Sequence, residues 1–156
     1  MYVIVSPTNG KIGYRTGTDG SHHHPMGVGL SYLDLKHANQ FSAKDYRETI
    51  RPDVLLLLVF PDHPKFANGK FWSPASIDGN VLSAGFKMKW HNLGERCVQL
   101  RLPVGLGFAD ELAGKAFLLH AYVKTDSKAE ARQLEKMRTR LQLLRQRKFT
   151  ERGRLT

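Results

Sequence analysis

Two short stretches of strict alternation constrain this chain more than anything else in it. Across Val81–Trp90, Phe86, Met88 and Trp90 alternate with Lys87 and Lys89; across Cys97–Leu102, Val98, Leu100 and Leu102 alternate with Gln99 and Arg101. A side-chain period of two belongs to a strand with one buried face. The polar and Gly-containing segment 91–96 between the two runs suits a turn. The pattern predicts an antiparallel hairpin with an apolar inner face and an outer face displaying Lys87, Lys89, Gln99 and Arg101.

Weaker signals extend this β reading through residues 1–125. Tyr2–Val5 and Ile12–Arg15 flank the turn-forming residues Ser6-Pro7-Thr8-Asn9-Gly10 and suggest an opening hairpin. Residues 16–27, rich in Gly, Thr and His, read as a loop, and Val28–Leu35 as a strand. Ser42-Ala43-Lys44-Asp45 has the reciprocal capping pattern of a helix start. Pro52 then disfavours helical geometry at the residue before it, so this short helix is expected to end near Ile50. The apolar run Val54–Phe60 reads as a strand buried on both faces. Residues 61–80, punctuated by Pro, Gly, Asp and Asn, read as a long connection, and Ala116–Val123 as a last strand.

The end of the chain has another character. Asp126 or Ser127 can cap a helix running to about Lys148, with Leu134, Met137, Leu141 and Leu144 on one narrow face. The expectation is an α+β fold: a mostly antiparallel sheet of about five to seven strands, one short helix near 42–50, and a long basic C-terminal helix. Residues 1–125 would form the β-rich core domain. Residues 126–156 would form the amphipathic helix and tail, packed on or projecting from it.

Charge points to function. The 156 residues carry a formal charge of +10, and residues 126–156 supply +6 of it, with ten basic side chains against four acidic ones. A field of that sign attracts phosphate polymers. Arg132, Lys136, Arg138, Arg140, Arg145, Arg147 and Lys148 on the helix are the first candidates to bind nucleic acid. Arg is suited to this because its planar fork grips phosphate oxygens in two places. Lys87, Lys89 and Arg101 on the hairpin are the second group, and their value rises if they adjoin the helix. Solvated charge on a helix face and edge lysines that block strand pairing are the plainer explanations. The apolar stripe is also compatible with a homodimer through the C-terminal helix.

Catalytic signals are weak. His22 and His24 could share a metal with a third ligand such as Asp19, His37, His63 or His91, but adjacent imidazoles in an extended chain diverge. His91 and His120 could serve acid–base chemistry only if folding brought them beside other polar groups; a satisfied, partly buried His120 is the plainer reading. Phe66, Phe71 and Trp72, interleaved with Lys65 and Lys70, could stack bases of a single strand, or fold over a core. No glycine-rich segment ends in the Lys-Ser/Thr of a phosphate-cradling loop, and no cofactor is implied. The lone Cys97, the missing secretory pattern and the absence of a long apolar run suggest a cytoplasmic protein with no membrane partner. The leading expectation is non-catalytic binding of DNA, RNA or a nucleoprotein complex. The alternatives are a small inhibitor or adaptor module and, further off, a His-dependent nuclease with or without a metal.

Overall fold

The computed structural model describes residues 3–8 and 40–155, with side chains placed for residues 40–149. The strands, in chain order, are β1 (Val3–Thr8), β2 (Trp72–Ile77), β3 (Asn80–Leu93), β4 (Val98–Gly105), β5 (Lys115–Leu118), β6 (Tyr122–Val123) and β7 (Thr150–Leu155). They form one sheet ordered β2-β3-β4-β5-β1-β7, and β6 continues past β5 along the same edge of β4. Among the described residues every pairing is antiparallel except that of β1 with β5. The fold is α+β, as the sequence pattern predicts.

The hairpin β3–β4 is the centre of this sheet, and its register pairs like with like. Met88 faces Leu102, Trp90 faces Leu100, and Lys89 faces Arg101. The apolar face carries Met88, Trp90, Leu100, Leu102 and Val104, all buried, and packs against Ile50, Val54 and Leu57. Full burial of each of these aliphatic side chains contributes about 1.5–3 kcal/mol.

Val54 and Leu57 belong to a helix where the sequence suggests a strand, and Ile50 belongs to the same helix. Ala43–Asp45 is α-helical, Tyr46–Ile50 is a π turn, Arg51–Leu55 is α-helical again, and Leu56–Val59 is a 3-10 turn; together they make α1. The start is the expected one: the Ser42 hydroxyl accepts from the Asp45 amide, and the Asp45 carboxylate accepts from the Ser42 amide. The stop is not. Pro52 has no N–H and its ring crowds the preceding turn, but the Arg51 amide here bonds back to Tyr46 across the widened π turn. A π turn relieves the strict α register where the proline would violate it. Helical spacing then places Ile50, Val54 and Leu57 on one buried face. Asp53 is buried beside them and ties α1 to the sheet, accepting from Trp90 Nε1 at 2.9 Å and Lys65 Nζ at 2.5 Å.

Other boundaries also move. The connection 61–80 contains β2, an edge strand that tolerates Pro74 where a central strand would not. Phe66, Phe71 and Trp72 fold onto the core in a cluster with Phe60, so they are not a stacking platform. β1 runs through Ser6-Pro7-Thr8, shifts register between Val5 and Pro7, and lies between β5 and β7. Its expected partner at 12–15, the loop 16–27 and the strand 28–35 lie outside the described residues. The last predicted strand is divided into β5 and β6, and the tail after the helix is a strand, β7.

The second helix, α2 (Ser127–Arg145), starts at Asp126, whose carboxylate accepts from the Ala129 amide at 2.8 Å. Leu134, Met137, Leu141 and Leu144 are buried against Ala75, Ile77, Phe117 and Leu119 on the sheet face opposite α1. The helix seats over two glycines paired across strands, Gly85 and Gly105. A Cβ on Gly85 would lie 3.0 Å from both Leu141 Cδ1 and Met137 Cε; one on Gly105 would lie 3.3 Å from Leu141 Cδ2. α2 therefore packs on the sheet, and the stripe that a helix-mediated homodimer would use is spent inside the protein's own core.

Candidate nucleic-acid interface

The cationic residues of α2 divide into two groups. Toward the C-terminal end the arginines serve the fold. Arg140 donates to the Leu119 carbonyl at 2.8 Å, and Arg145 donates to the Ser83 carbonyl. Arg147 adopts left-handed backbone (φ 57°) immediately after the helix; its amide bonds the Leu144 carbonyl, and the Lys148 amide bonds the Leu143 carbonyl. This closure, usually made with glycine, ends α2 about one turn before Lys148. The Arg147 side chain then meets Glu111 at 2.7 Å and lies 3.9 Å from Asp110. Arg140, Arg145 and Arg147 are thus tied to the fold, with Arg145 and Arg147 still exposed.

Toward the N-terminal end the pattern is different. Lys128, Arg132, Lys136 and Arg138 are exposed. Arg138 pairs within the helix to Glu135 at 3.3 Å, both ends in solvent, an arrangement that contributes little. Among the described residues no carboxylate pairs with Lys128, Arg132 or Lys136, and four-residue steps place these three along one side of the helix. Lys148 is likewise exposed, beyond the helix end.

The hairpin cations adjoin this end of the helix. Glu130 is buried on the inner side of the first turn of α2. It receives Lys87 Nζ on Oε1 at 3.0 Å, Lys124 Nζ on Oε2 at 3.3 Å, and the Tyr122 hydroxyl on Oε1 at 3.2 Å. Arg101 lies on the same sheet face, in register with Lys89 on one side and Tyr122 on the other. It is buried at 5 % exposure rather than displayed to solvent, and donates to the Trp90 and Leu100 carbonyls at 3.0 Å each. Lys89 Nζ donates to the Gly69 carbonyl. Two cations (Lys87 and Lys124) contact the carboxylate, and two more (Lys89 and Arg101) lie close enough to feel its charge.

Protonation follows from this crowding. Burial alone would raise the Glu130 carboxyl, but the hydrogen bond and charge of Lys87, joined by those of Lys124, hold it below the usual carboxylate range. Burial depresses the Lys89 ammonium, and the charges of Lys87 and Arg101 depress it further. Burial, then the Glu130 charge and hydrogen bond, push the Tyr122 phenol up. The cluster is one negative group in a positive basin, with its phenol neutral.

His120 lies beside the cluster, its ring centroid 6.1 Å from that of Tyr122. It is 4 % exposed, its Nε2 donates to the Gln133 carbonyl at 3.2 Å, and its Nδ1 is buried without a hydrogen-bond partner. The expected satisfied histidine is therefore only half satisfied. Burial first, then the charges of Arg140 and Lys136, push its pKa down to about 3, while the Gln133 carbonyl works the other way. The unfolded chain takes up this proton below about pH 6.5 and the folded protein does not, so stability present at neutral pH is lost as pH falls toward 3. Between pH 7 and pH 5 this one group is expected to remove about 2 kcal/mol of stability. Urea titrations at the two pH values check it: His120→Gln should show a correspondingly smaller loss than the parent.

His22 and His24 lie outside the described residues. Among the described residues no group of three His, Cys, Asp or Glu side chains converges as a metal site. His91, in β3, has its Nε2 2.6 Å from the Lys70 carbonyl and its Nδ1 3.2 Å from Gln99 Oε1. No helix of the described residues is long and apolar enough to cross a membrane. Cys97 is exposed in the β3–β4 turn, with left-handed backbone (φ 50°). Comparison with protein-family models, curated proteins and solved structures finds no match to this chain.

Proposed function

We propose that this protein binds nucleic acid, DNA or RNA, alone or within a nucleoprotein complex, and does so without catalysis. The binding face is the N-terminal two-thirds of α2 together with the cation cluster beneath its first turn. One observation carries the reading: Lys87 and Lys124 pair with the single buried carboxylate of Glu130, Lys89 and Arg101 stand next to them on the sheet, and α2 carries Lys128, Arg132 and Lys136 exposed on its outer side. A phosphate backbone supplies the missing negative charge and releases its counterions on contact. The arginines at the other end of α2 are drawn into the fold, so the interface is shorter than the run of basic residues implies.

Removing residues 126–156 would strip α2 from its core and test only stability. Exposed positions are the informative ones. Arg132→Gln combined with Lys136→Gln is expected to leave the melting temperature unchanged. It should weaken binding to a fluorescent oligonucleotide at least about tenfold at moderate salt, whatever the base sequence, because phosphate contacts position without reading sequence. Anisotropy titrations of the parent and the double variant measure this. Equal affinity of the two proteins would remove the helix from the interface.

A further inference from the structure

The cation cluster has a property that the exposed helix face lacks: its charges are concentrated and partly buried. Lys87 keeps 17 % of its side-chain surface and Lys124 keeps 42 %, with the two ammonium groups on opposite oxygens of one carboxylate. Arg101, behind them, is buried. Lys89 spends one of its three N–H groups on the Gly69 carbonyl, leaving two to give. The Tyr122 hydroxyl completes the polar wall and is already committed to Glu130.

We propose that this cluster is a site for a phosphate monoester, with Lys89 and Lys124 as its contact residues and Lys87 and Arg101 supplying charge behind them. The inference deepens the reading above and rests on it for the nucleic-acid chain that would carry the phosphate. A diester within a strand carries one negative charge and is flanked on both sides by sugar, so it meets exposed, spread-out cations such as Lys128, Arg132 and Lys136. A monoester carries between one and two negative charges and three terminal oxygens. It also ends a chain, so fewer neighbouring sugars crowd its approach to partly buried ammonium groups. Four cations against one carboxylate match that denser charge. Glu130 is the internal counter-ion that keeps the cluster folded when no ligand is present; among the described residues Lys89 and Arg101 have no carboxylate in contact, and of the two Lys89 is the less buried.

The test uses the full chain and two probes. The first is a pair of single-stranded oligonucleotides of identical sequence, labelled at the 3′ end, one bearing a 5′-phosphate and the other a 5′-hydroxyl. The second is inorganic phosphate, compared with chloride at matched ionic strength. The 5′-phosphate is expected to tighten binding about tenfold, the range of one added charge-assisted contact. Inorganic phosphate is expected to raise the melting temperature of the parent protein by ligand linkage. Lys124→Gln, a change at a partly exposed position, should abolish the end preference and the phosphate shift, so that the variant binds the two oligonucleotides equally. Lys89→Gln should do the same, which guards against an effect peculiar to the Lys124–Glu130 pair. A phosphate shift without oligonucleotide binding supports the site and overturns the nucleic-acid reading; a shift with no end preference assigns the site to the free ion. Equal affinity for both oligonucleotides together with no phosphate shift overturns the proposal.

Discussion

Replacing Glu130 with alanine is expected to lower stability by about 3–5 kcal/mol, the range for removing one partner of a buried ion pair. In a chain of this size that corresponds to a fall in melting temperature of about 6–20 °C. The cost arises from what remains. Lys87 loses its contact at 3.0 Å, Lys124 its contact at 3.3 Å and the Tyr122 hydroxyl its acceptor, while Arg101 stays buried beside them. Glu130→Gln keeps an oxygen for Lys87 and Tyr122 but no charge, so it should fall between the parent and the alanine variant. Lys87→Met in the Glu130→Ala background should recover part of the loss, because it removes an orphaned cation. If Glu130→Ala melts within 2 °C of the parent, about the shift given by 1 kcal/mol, the carboxylate is not the anchor described above. The pair also links stability to acid: the depressed carboxyl stabilises the folded protein above its unfolded pKa of 4.5 and ceases to as pH falls through its folded value.

The second large effect is expected at the seat of α2. Leu141 is 1 % exposed and lies over both glycines of the Gly85–Gly105 pair. Leu141→Ala should cost about 2–5 kcal/mol, the transfer loss plus the cavity left behind. Gly85→Ala forces a Cβ to within 3.0 Å of Leu141 Cδ1, Met137 Cε and Leu82 Cβ, and overpacking of this kind costs about 1–3 kcal/mol. The two changes should not add. In the double variant the new methyl occupies space that Leu141 vacated, so the combined loss should be smaller than the sum of the single losses. Denaturant titrations of all four proteins complete the cycle; strict additivity would mean that the helix does not rest on the glycines.

Much of this architecture is legible in the sequence where a single periodicity governs. The β3–β4 hairpin shows because Phe86, Met88 and Trp90 alternate with charge. α2 shows because Leu134, Met137, Leu141 and Leu144 keep helical spacing after a capping Asp126. α1 is obscured because seven consecutive apolar residues, 54–60, carry no period of their own and Pro52 argues for a break. The 4-3 spacing of Ile50, Val54 and Leu57 was the usable signal, and the π turn that admits the proline leaves no mark in composition. Arg101 looks exposed because alternation implies one buried face; α2 packs on the other, which is long-range information. Of the cluster, Lys87, Lys89 and Arg101 are visible as hairpin cations, whereas Lys124 and Tyr122 carry no pattern. Glu130 does carry one. It stands four residues before Leu134, continuing the apolar stripe by one turn, and a carboxylate at a buried stripe position requires cations opposite it.

The slope of binding affinity against salt for the unmodified protein bears most directly on whether its surplus charge meets a polyanion. With three or four phosphates engaged by the cluster and the row Lys128, Arg132 and Lys136, the logarithm of the association constant should fall with the logarithm of salt concentration at a slope of about −2 to −3 on a single strand. A flat response, or no binding at the lowest salt, would contradict the interface assigned to α2 and the hairpin.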